Sequence, residues 1–245
     1  MIVAILISVH LLADFLFQSS AVLERKRQER NFLFLHCFIY FVVFEILFFI
    51  LFQCEKTFLL GLIISILHFL INLIKNKLEK RFLQRKLQLL FFLLNQLIHI
   101  VMIIGVYYIF NLENLTNNLY IKLQGYKNFK TIILYILIFS VILDPASVFI
   151  RKLFISISLK TYPKIYSEEL KAGNIIGKLE RIIIAILLLN NQFGVIGFVL
   201  TAKSIARFKQ MENRDFAEKY LIGTLTSFLI VLLSVLILKE AVANL

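Results

Sequence analysis

Proline and glycine are scarce in this sequence, with two prolines and eight glycines in 245 residues. Together with the absence of low-complexity segments and of an internal repeat, this excludes the flexible linkers that join separate domains. The polar sequence between the apolar runs is also too short for a separate soluble domain. We therefore expect one transmembrane domain that covers residues 1–245.

Cysteine is also rare, with only Cys37 and Cys54, near opposite ends of one predicted helix. At about 1.5 Å of rise per residue the two lie about 25 Å apart, too far for a disulfide within the chain. There is no Cys-x-x-Cys pair. The cysteines therefore do not indicate a metal or redox site.

Apolar residues are abundant instead. They make up 60% of the chain, against about 45–50% in soluble domains, and the mean hydropathy is +0.86. Long apolar runs recur along the whole length, which predicts a polytopic membrane protein with the lipid bilayer as its surroundings. The net charge is +12, but the basic residues flank the apolar runs. That pattern reports membrane topology and not nucleic-acid binding.

The apolar runs predict the spans, because a bilayer core of about 30 Å needs about 20 residues per helix. Between residues 174 and 207 lie two shorter apolar stretches, separated by NNQFG at 190–194. These would form two short helices or a re-entrant hairpin. The predicted fold is an all-α polytopic transmembrane helical bundle of six spans plus this short pair, with spans at 2–22, 32–52, 58–77, 88–110, 131–150 and 217–238.

The distribution of lysine and arginine predicts the orientation. With the N-terminus outside, the cytoplasmic segments carry 22 of the 27 basic residues. Cytoplasmic loops are the ones enriched in Lys and Arg, so we expect both termini outside the inner membrane. The cytoplasmic segments are then 24–31, 75–86, 151–181 and 203–219.

Polar residues recur at helical spacing inside three of the spans. Steps of three and four place each set on one helix face. Intramembrane ionisable groups are costly and usually face an interior site. The three sets are His10, Asp14 and Gln18 in the first span, His68, Asn72 and Lys75 in the third, and Asn95, Gln96 and His99 in the fourth.

The order of these residues predicts a layered site. The first and third spans run inward with histidine first, and the fourth runs outward with histidine last. All three imidazoles therefore lie near mid-membrane, about 12–17 Å from a span end. Asp14, Asn72 and Asn95 lie one turn closer to the cytoplasm.

Several chemistries fit this layer. His10, His68, His99 and Asp14 are a plausible ligand set for a divalent metal such as Zn²⁺, which would activate water or polarise a phosphoryl oxygen. Without metal, a His–Asp pair would act as a general base and its orienting partner, or as a proton relay. Alternatively, the polar groups only bond helices together, at about 1 kcal/mol or less per contact.

Other polar residues receive simpler interpretations. His36 is expected at the cytoplasmic interface, and the partner of Glu45 in the middle of the second span is left open. Asp144-Pro145 predicts a helix kink, because proline removes an intrahelical hydrogen bond.

The C-terminal third carries charge at the inner interface. A helix that begins near Asn174 would point its positive end at the cytoplasmic side, close to Lys178 and Arg181, which suits a phosphate group. Snorkelling charges and a Glu–Arg packing pair are the alternative, and we prefer it for Lys178. The candidates for anion binding are Glu180, Arg181, Lys203 and Arg207.

Several strings resemble a bacterial membrane-protein family, domain of unknown function 3307, whose members are often encoded beside a regulator called SatD. The resemblance implies the fold and the polar positions but no reaction. It also implies aspartate at the positions of Asn72 and Asn95, and that departure would weaken a metal site and shift acid–base work onto Asp14. The strings are HLLADFLFQ (10–18), HFLINLIK (68–75), NQLIHI (95–100), IGKLERIIIAILLLNNQFGVIGFVLTAKSIARF (176–208) and AEKYLIGTLTS (217–227).

The first functional hypothesis is an intramembrane metal-dependent hydrolase or transferase that acts on a phosphate-bearing lipid or lipid-linked substrate. Its reactive centre would be His10, Asp14, His68 and His99. Substrate would be bound or oriented by Gln18, Asn72, Lys75, Asn95 and Gln96, with Glu180, Arg181, Lys203 and Arg207 at the anion.

Two other classes of function fit the sequence. A transporter or proton-coupled carrier would use the short helices around 190–194 as broken helices. A sensing or anchoring module would instead dock a soluble regulator on the basic cytoplasmic face.

Overall fold

The computed structural model describes residues 1–16, 30–52, 57–82, 86–157 and 168–243. Within these ranges the chain is helical and forms no strand, only an isolated bridge between Phe52 and Thr116. The predicted all-α helical architecture is confirmed.

The helices follow the apolar runs of the sequence. α1 continues into a π-helical turn at Leu12–Leu16, and 3₁₀ turns occupy Leu112–Leu115 and Phe208–Glu212. The α-helices are α1 (Ile2–Leu11), α2 (Arg30–Leu51), α3 (Thr57–Arg81), α4 (Leu87–Ile109), α5 (Asn118–Gln124), α6 (Phe129–Ile142), α7 (Asp144–Ile157), α8 (Glu168–Leu189), α9 (Phe193–Ala206) and α10 (Arg214–Ala243).

Five stretches in the described part of the chain are long and apolar enough to cross a membrane, and they correspond to the second to sixth predicted spans. The first predicted span is helical over the described residues 2–16, and the remainder of that span lies outside the described residues. The five stretches are Leu33–Leu51, Thr57–Glu79, Leu87–Ile109, Phe129–Ile157 and Arg214–Val242.

Large apolar side chains point outward from these helices. Phe49 is 82% exposed and Phe38 is 63% exposed on α2, and Ile237 is 68% exposed on α10. Extensive apolar exposure of this kind is unfavourable in water but costs nothing against lipid tails. The exposed surface therefore supports a membrane protein.

The helix break at Asp144-Pro145 is present, since α6 ends at Ile142 and α7 begins at Asp144. Pro145 lies in the first turn of α7, where its missing N–H has no intrahelical partner to lose.

The predicted helix start near Asn174 is wrong, because α8 already begins at Glu168. Gly173 does not end the helix, since glycine inside a helix costs only about 1 kcal/mol relative to alanine. The positive end of the helix is therefore not beside Lys178 and Arg181, and the phosphate site argued from that end loses its geometric basis.

The stretch between 174 and 207 forms two helices joined by a tight turn. α8 ends at Leu189 and α9 begins at Phe193. Asn191 has φ = 58°, in the left-handed region that asparagine tolerates better than other non-glycine residues. The NNQFG string thus supplies the turn.

Contacts divide the chain into two compact units, residues 1–137 and 138–245, and the division falls within α6. The core of the first unit contains an aromatic stripe, formed by Tyr40, Phe44 and Phe48 of α2 and by Phe52 directly after it, which packs with residues of the other helices such as Ile103. Spacing of four keeps these rings on one helix face. The same face continues back to His36, so the stripe leads directly to the polar positions.

Glu45 of α2 lies against the backbone of α3 at Gly61. A Cβ atom built on Gly61 would overlap the Oε1 atom of Glu45, so a larger residue at this position would require the end of the Glu45 side chain to move. Oε1 is buried and makes no hydrogen bond to a described residue. The sequence left the partner of Glu45 open. In the structure, its carboxylate lies against Gly61 of α3, in the space that a larger side chain would fill.

We expect Gly61→Ala to be less favourable than Gly105→Ala by about 1 kcal/mol, because the new methyl group forces the end of the Glu45 side chain to move. Glu45→Ala in the same chain should restore most of this loss, which a double-mutant cycle of unfolding in detergent micelles would measure. Gly105→Ala is the matched control, since nothing lies within 4 Å of a Cβ at that position. Equal effects of the two glycine substitutions would contradict the close-packing interpretation.

Candidate functional site

All four histidines of the chain lie together, one from each of α1, α2, α3 and α4, and none has any exposed surface. The ring centroids are 4.6 Å apart for His68–His99, 5.0 Å for His10–His99 and for His36–His68, and 5.9 Å for His10–His68. We call these four residues the histidine cluster. Because burying an imidazole without a partner is costly, the partners decide what the cluster can do.

Asp14 lies in the π-helical turn and is 5% exposed. Its Oδ1 atom is 3.2 Å from Nε2 of His36 and 3.7 Å from Nε2 of His68. Its Oδ2 atom accepts a hydrogen bond of 3.0 Å from Nε2 of Gln96. One carboxylate thus meets polar groups of three other helices. Single π-turns inside helices occur frequently at functional sites.

His10 is held by polar contacts at both ring nitrogens. Nδ1 is 3.1 Å from the Tyr40 hydroxyl, and Nε2 is 3.4 Å from Oε1 of Gln96. Since the Gln96 amide nitrogen donates to Asp14, its oxygen faces His10, so Nε2 of His10 carries the proton. Nδ1 then accepts from Tyr40. The contacts form a chain from Tyr40 through His10 and Gln96 to Asp14.

His68 is fixed by stacking and by its own helix. Its ring lies 3.7 Å from that of Tyr40, with an angle of 7° between the planes. Nδ2 of the buried Asn72 donates to the backbone carbonyl of His68 at 3.1 Å and lies 3.2 Å from Nε2 of the ring. A carboxylate at position 72 could not donate the carbonyl bond, so the amide here has a positioning role.

His99 has one open ring nitrogen. Nδ1 lies 3.3 Å from Nδ2 of Asn95, whereas Nε2 of His99 and Oδ1 of Asn95 are buried without a hydrogen bond to a described residue. A half-turn of the Asn95 amide would let Nδ1–H of His99 donate to Oδ1. Nε2 would then present a lone pair to the cluster, the arrangement typical of ligating or basic histidines.

The structure brings together most of the residues predicted from the first, third and fourth spans. Lys75 is half-buried, three residues after Asn72 on α3. Gln18 lies outside the described residues. The catalytic and binding roles of these side chains stay predictions. Those that meet around the histidine cluster are His10, Asp14, His68, Asn72, Asn95, Gln96 and His99.

His36 corrects the sequence analysis, which placed it at the interface. It is fully buried, and its Nε2 faces Asp14. The available signal was the spacing of four that links His36 to Tyr40 and Phe44, which places it on the interior face of α2. His36 was not predicted as a site residue because it is a single polar residue near the start of its span. It lacks the polar residues at spacings of three and four that mark the other spans.

Cys37 also differs from the expectation that the cysteines mark no metal site. Its Sγ atom and ring nitrogens of His36 and His68 all lie within 4.8 Å of one another. A search for local pairs such as Cys-x-x-Cys cannot find a set assembled from two helices. These three residues, with Asp14 beside them, are the described groups best placed to hold a metal.

Arg181 lies in the second unit, where it closes the break between α6 and α7. Its guanidinium, 2% exposed, donates to the carbonyls of Ile142 and Leu143 and to Oγ of Ser147. The Ile142 carbonyl lies at the C-terminal end of α6, where intrahelical donors run out, whereas the Leu143 carbonyl also accepts from the backbone N–H and the hydroxyl of Ser147. The group is therefore engaged with the protein.

The other charged candidates of the second unit are also paired there. Nζ of Lys203 lies 2.5 Å from Oε2 of Glu180 and 3.2 Å from the Thr224 hydroxyl. Arg207 lies 6.0 Å from the centre of the Tyr220 ring, a cation–π contact. Anion binding by Glu180, Arg181, Lys203 and Arg207 stays a prediction.

A family model described as "Protein of unknown function (DUF3307)" matches residues 2–129, more than half of the chain. The chain belongs to this family. The DUF3307 match covers α1 to α5 and therefore the whole histidine cluster, whereas the strings at 176–208 and 217–227 lie outside it. Searches of curated proteins and of solved structures found no match.

We expect Arg181→Met to destabilise this DUF3307 protein by about 1–3 kcal/mol, because it leaves the buried carbonyl of Ile142 without the donor it has in the structure. Lys178→Met, on the same helix, is the control. The ion pair of Lys178 with Asp144 is partly exposed, so its loss should cost about 1 kcal/mol or less. The unfolding midpoint in detergent measures both. An Arg181→Met protein as stable as the parent would contradict the structural role and favour anion binding.

Proposed function

We propose that this protein is an intramembrane, metal-dependent hydrolase or transferase that acts on a phosphate-bearing lipid or lipid-linked substrate. The supporting observation is the environment of Asp14, whose carboxylate lies within 3.7 Å of imidazole nitrogens from α2 and α3 and accepts a bond from Gln96 of α4. Convergence of imidazole and amide groups from three other helices on one buried carboxylate favours a reactive centre.

A role in helix packing alone accounts less well for this arrangement. Polar contacts between membrane helices stabilise by only about 0.6–2 kcal/mol each, and a single pair is sufficient for each interface. Packing also gives no reason to leave Nε2 of His99 buried without a hydrogen bond to any described residue. An open ring nitrogen next to His68 and His10 is instead suited to accept a proton from substrate or water.

The side chains divide into roles on this basis. A metal ion bound beside Asp14 would polarise a phosphoryl oxygen and acidify a water molecule. His99 would be the general base, with Asn95 fixing its tautomer. Tyr40 and Gln96 would orient the His10 ring through its two nitrogens.

We place the protein in the cytoplasmic membrane of a bacterium, with both termini outside. This orientation puts 22 of the 27 basic residues on the cytoplasmic side. The layer that contains Asp14 then lies in the inner half of the bilayer. A substrate with an anionic head group in the cytoplasmic leaflet would reach this depth most readily.

The test is turnover in vesicles of phosphatidylethanolamine and phosphatidylglycerol doped with a polyprenyl diphosphate, followed by mass spectrometry of the lipid extract. His99→Gln should lower turnover by about 100-fold or more, because a general base contributes about 10²–10⁴. His68→Ala should abolish it. Tyr107→Phe is the control, since its hydroxyl bonds Glu113 and not the cluster. Full turnover by a stably folded His99→Gln protein would refute the proposal.

A proton-coupled carrier is the second candidate, favoured by the continuous contacts from Tyr40 through His10 and Gln96 to Asp14 and His36. Chains of this kind conduct protons in pumps and transporters.

In proteoliposomes with an entrapped pH dye, Gln96→Leu should lower proton flux at least tenfold, because it removes the bridge between His10 and Asp14. Gln124→Leu, an exposed amide on α5, should not. Proton flux in the parent protein without lipid turnover would favour the carrier over the enzyme. Absence of proton flux would eliminate the carrier.

A further inference from the structure

The atoms beside Asp14 specify the metal site more closely. We propose that His36, Cys37, His68 and Asp14 bind a thiophilic divalent cation such as Zn²⁺, with the Cys37 thiolate as one of the four ligands. This deepens the function proposed above and rests on it for the role of the metal, whereas binding itself rests on the geometry of these four side chains.

The distances suit a tetrahedral ion after a small contraction. Oδ1 of Asp14 is 3.2 Å from Nε2 of His36 and 3.7 Å from Nε2 of His68, and Sγ of Cys37 lies within 4.8 Å of the ring nitrogens. Around zinc, with Zn–N of about 2.0 Å and Zn–S of about 2.3 Å, neighbouring ligand atoms lie about 3.3–3.7 Å apart. The oxygen–nitrogen separations of 3.2 and 3.7 Å match this range to within about 0.1 Å.

The position of the ion follows from the helices. Successive residues of a helix point about 100° apart, so His36 and Cys37 can share an ion only if it lies between their directions. His68 supplies a nitrogen from the facing helix α3, and Asp14 supplies oxygen from the end of α1. The ion would thus be enclosed by three chain segments, with the Tyr40 ring stacked on His68 and the Asn72 amide donating to the His68 backbone carbonyl.

Charge balance favours this ligand set over imidazoles alone. A divalent cation with the Asp14 carboxylate and the Cys37 thiolate has no net charge, and a buried net charge among apolar helices is costly. Three histidines and one aspartate, the set expected from the sequence, would leave one positive charge. Thiolate also selects zinc-like ions over magnesium or calcium.

The two remaining histidines are less suited as ligands. Both ring nitrogens of His10 already have partners, Tyr40 and Gln96, and a metal would have to displace one of them. The ring centroid of His99 lies 4.6 Å from that of His68, and Nε2 of His99 makes no hydrogen bond to a described residue. The geometry therefore separates metal ligands, His36 and His68, from the acid–base candidate His99.

The test uses cobalt as the probe, because Co²⁺ replaces Zn²⁺ in tetrahedral sites and a thiolate ligand gives an intense near-ultraviolet charge-transfer band. Purified protein in detergent micelles should bind one Co²⁺ with this band and with visible bands of tetrahedral cobalt. Cys37→Ser should lose the charge-transfer band. Cys54→Ser, which changes the other cysteine of the chain, outside the described residues, should keep it.

A measurement on the unsubstituted protein guards against variants that fail to fold. X-ray absorption of the zinc-loaded protein should show one sulfur at about 2.3 Å together with nitrogen or oxygen neighbours. A zinc shell without sulfur, a charge-transfer band that survives Cys37→Ser, or no cobalt binding would each overturn the site. Loss of binding in His10→Gln with retention in His36→Ala would also overturn it, in favour of the ligand set expected from the sequence.

The site and the proposed reaction fail separately. Metal binding with the expected sulfur, but without lipid turnover, supports the site and counts against the enzyme. Elemental analysis would verify that a chelator has removed the metal completely. Turnover that continues after this removal would support the proposed enzyme and show that its reaction does not need the metal.

Discussion

The carboxylate of Asp14 is the group on which the first unit depends. A carboxylate among apolar helices is stable only if other chain segments bring polar partners to it. His36, His68 and Gln96 do so from three helices, which fixes the distance and rotation of α2, α3 and α4 around the end of α1. The aromatic stripe of α2 then fills the space beyond this point.

Buried polar groups have different partners in the two units. In the second unit, Glu180 pairs with Lys203, and the donors of Arg181 complete the end of a helix. Those contacts satisfy the groups within the unit. In the first unit Nε2 of His99 stays open. That difference is the reason to assign the chemistry to the histidine cluster and a structural role to the charges of the second unit.

Much of the fold follows from apolar length alone, because a run of about 20 apolar residues can satisfy its backbone in lipid only as a helix. Asp144-Pro145 gives the break between α6 and α7, and the NNQFG string gives the turn after Leu189. The start of α8 was missed, since Gly173 weakens a helix without ending it. Whether a glycine interrupts a helix depends on contacts that local sequence does not contain.

The sequence by itself predicted the helices and the meeting of His10, His68 and His99, because helix period and chain direction convert spacing into height along each helix. It could not determine rotation about each helix axis relative to its neighbours. That rotation decides that His36 faces Asp14 and that the Cys37 thiol approaches His68. Only tertiary packing settles it, since these atoms come from helices whose mutual orientation is set by the sum of many side-chain contacts and not by any local pattern.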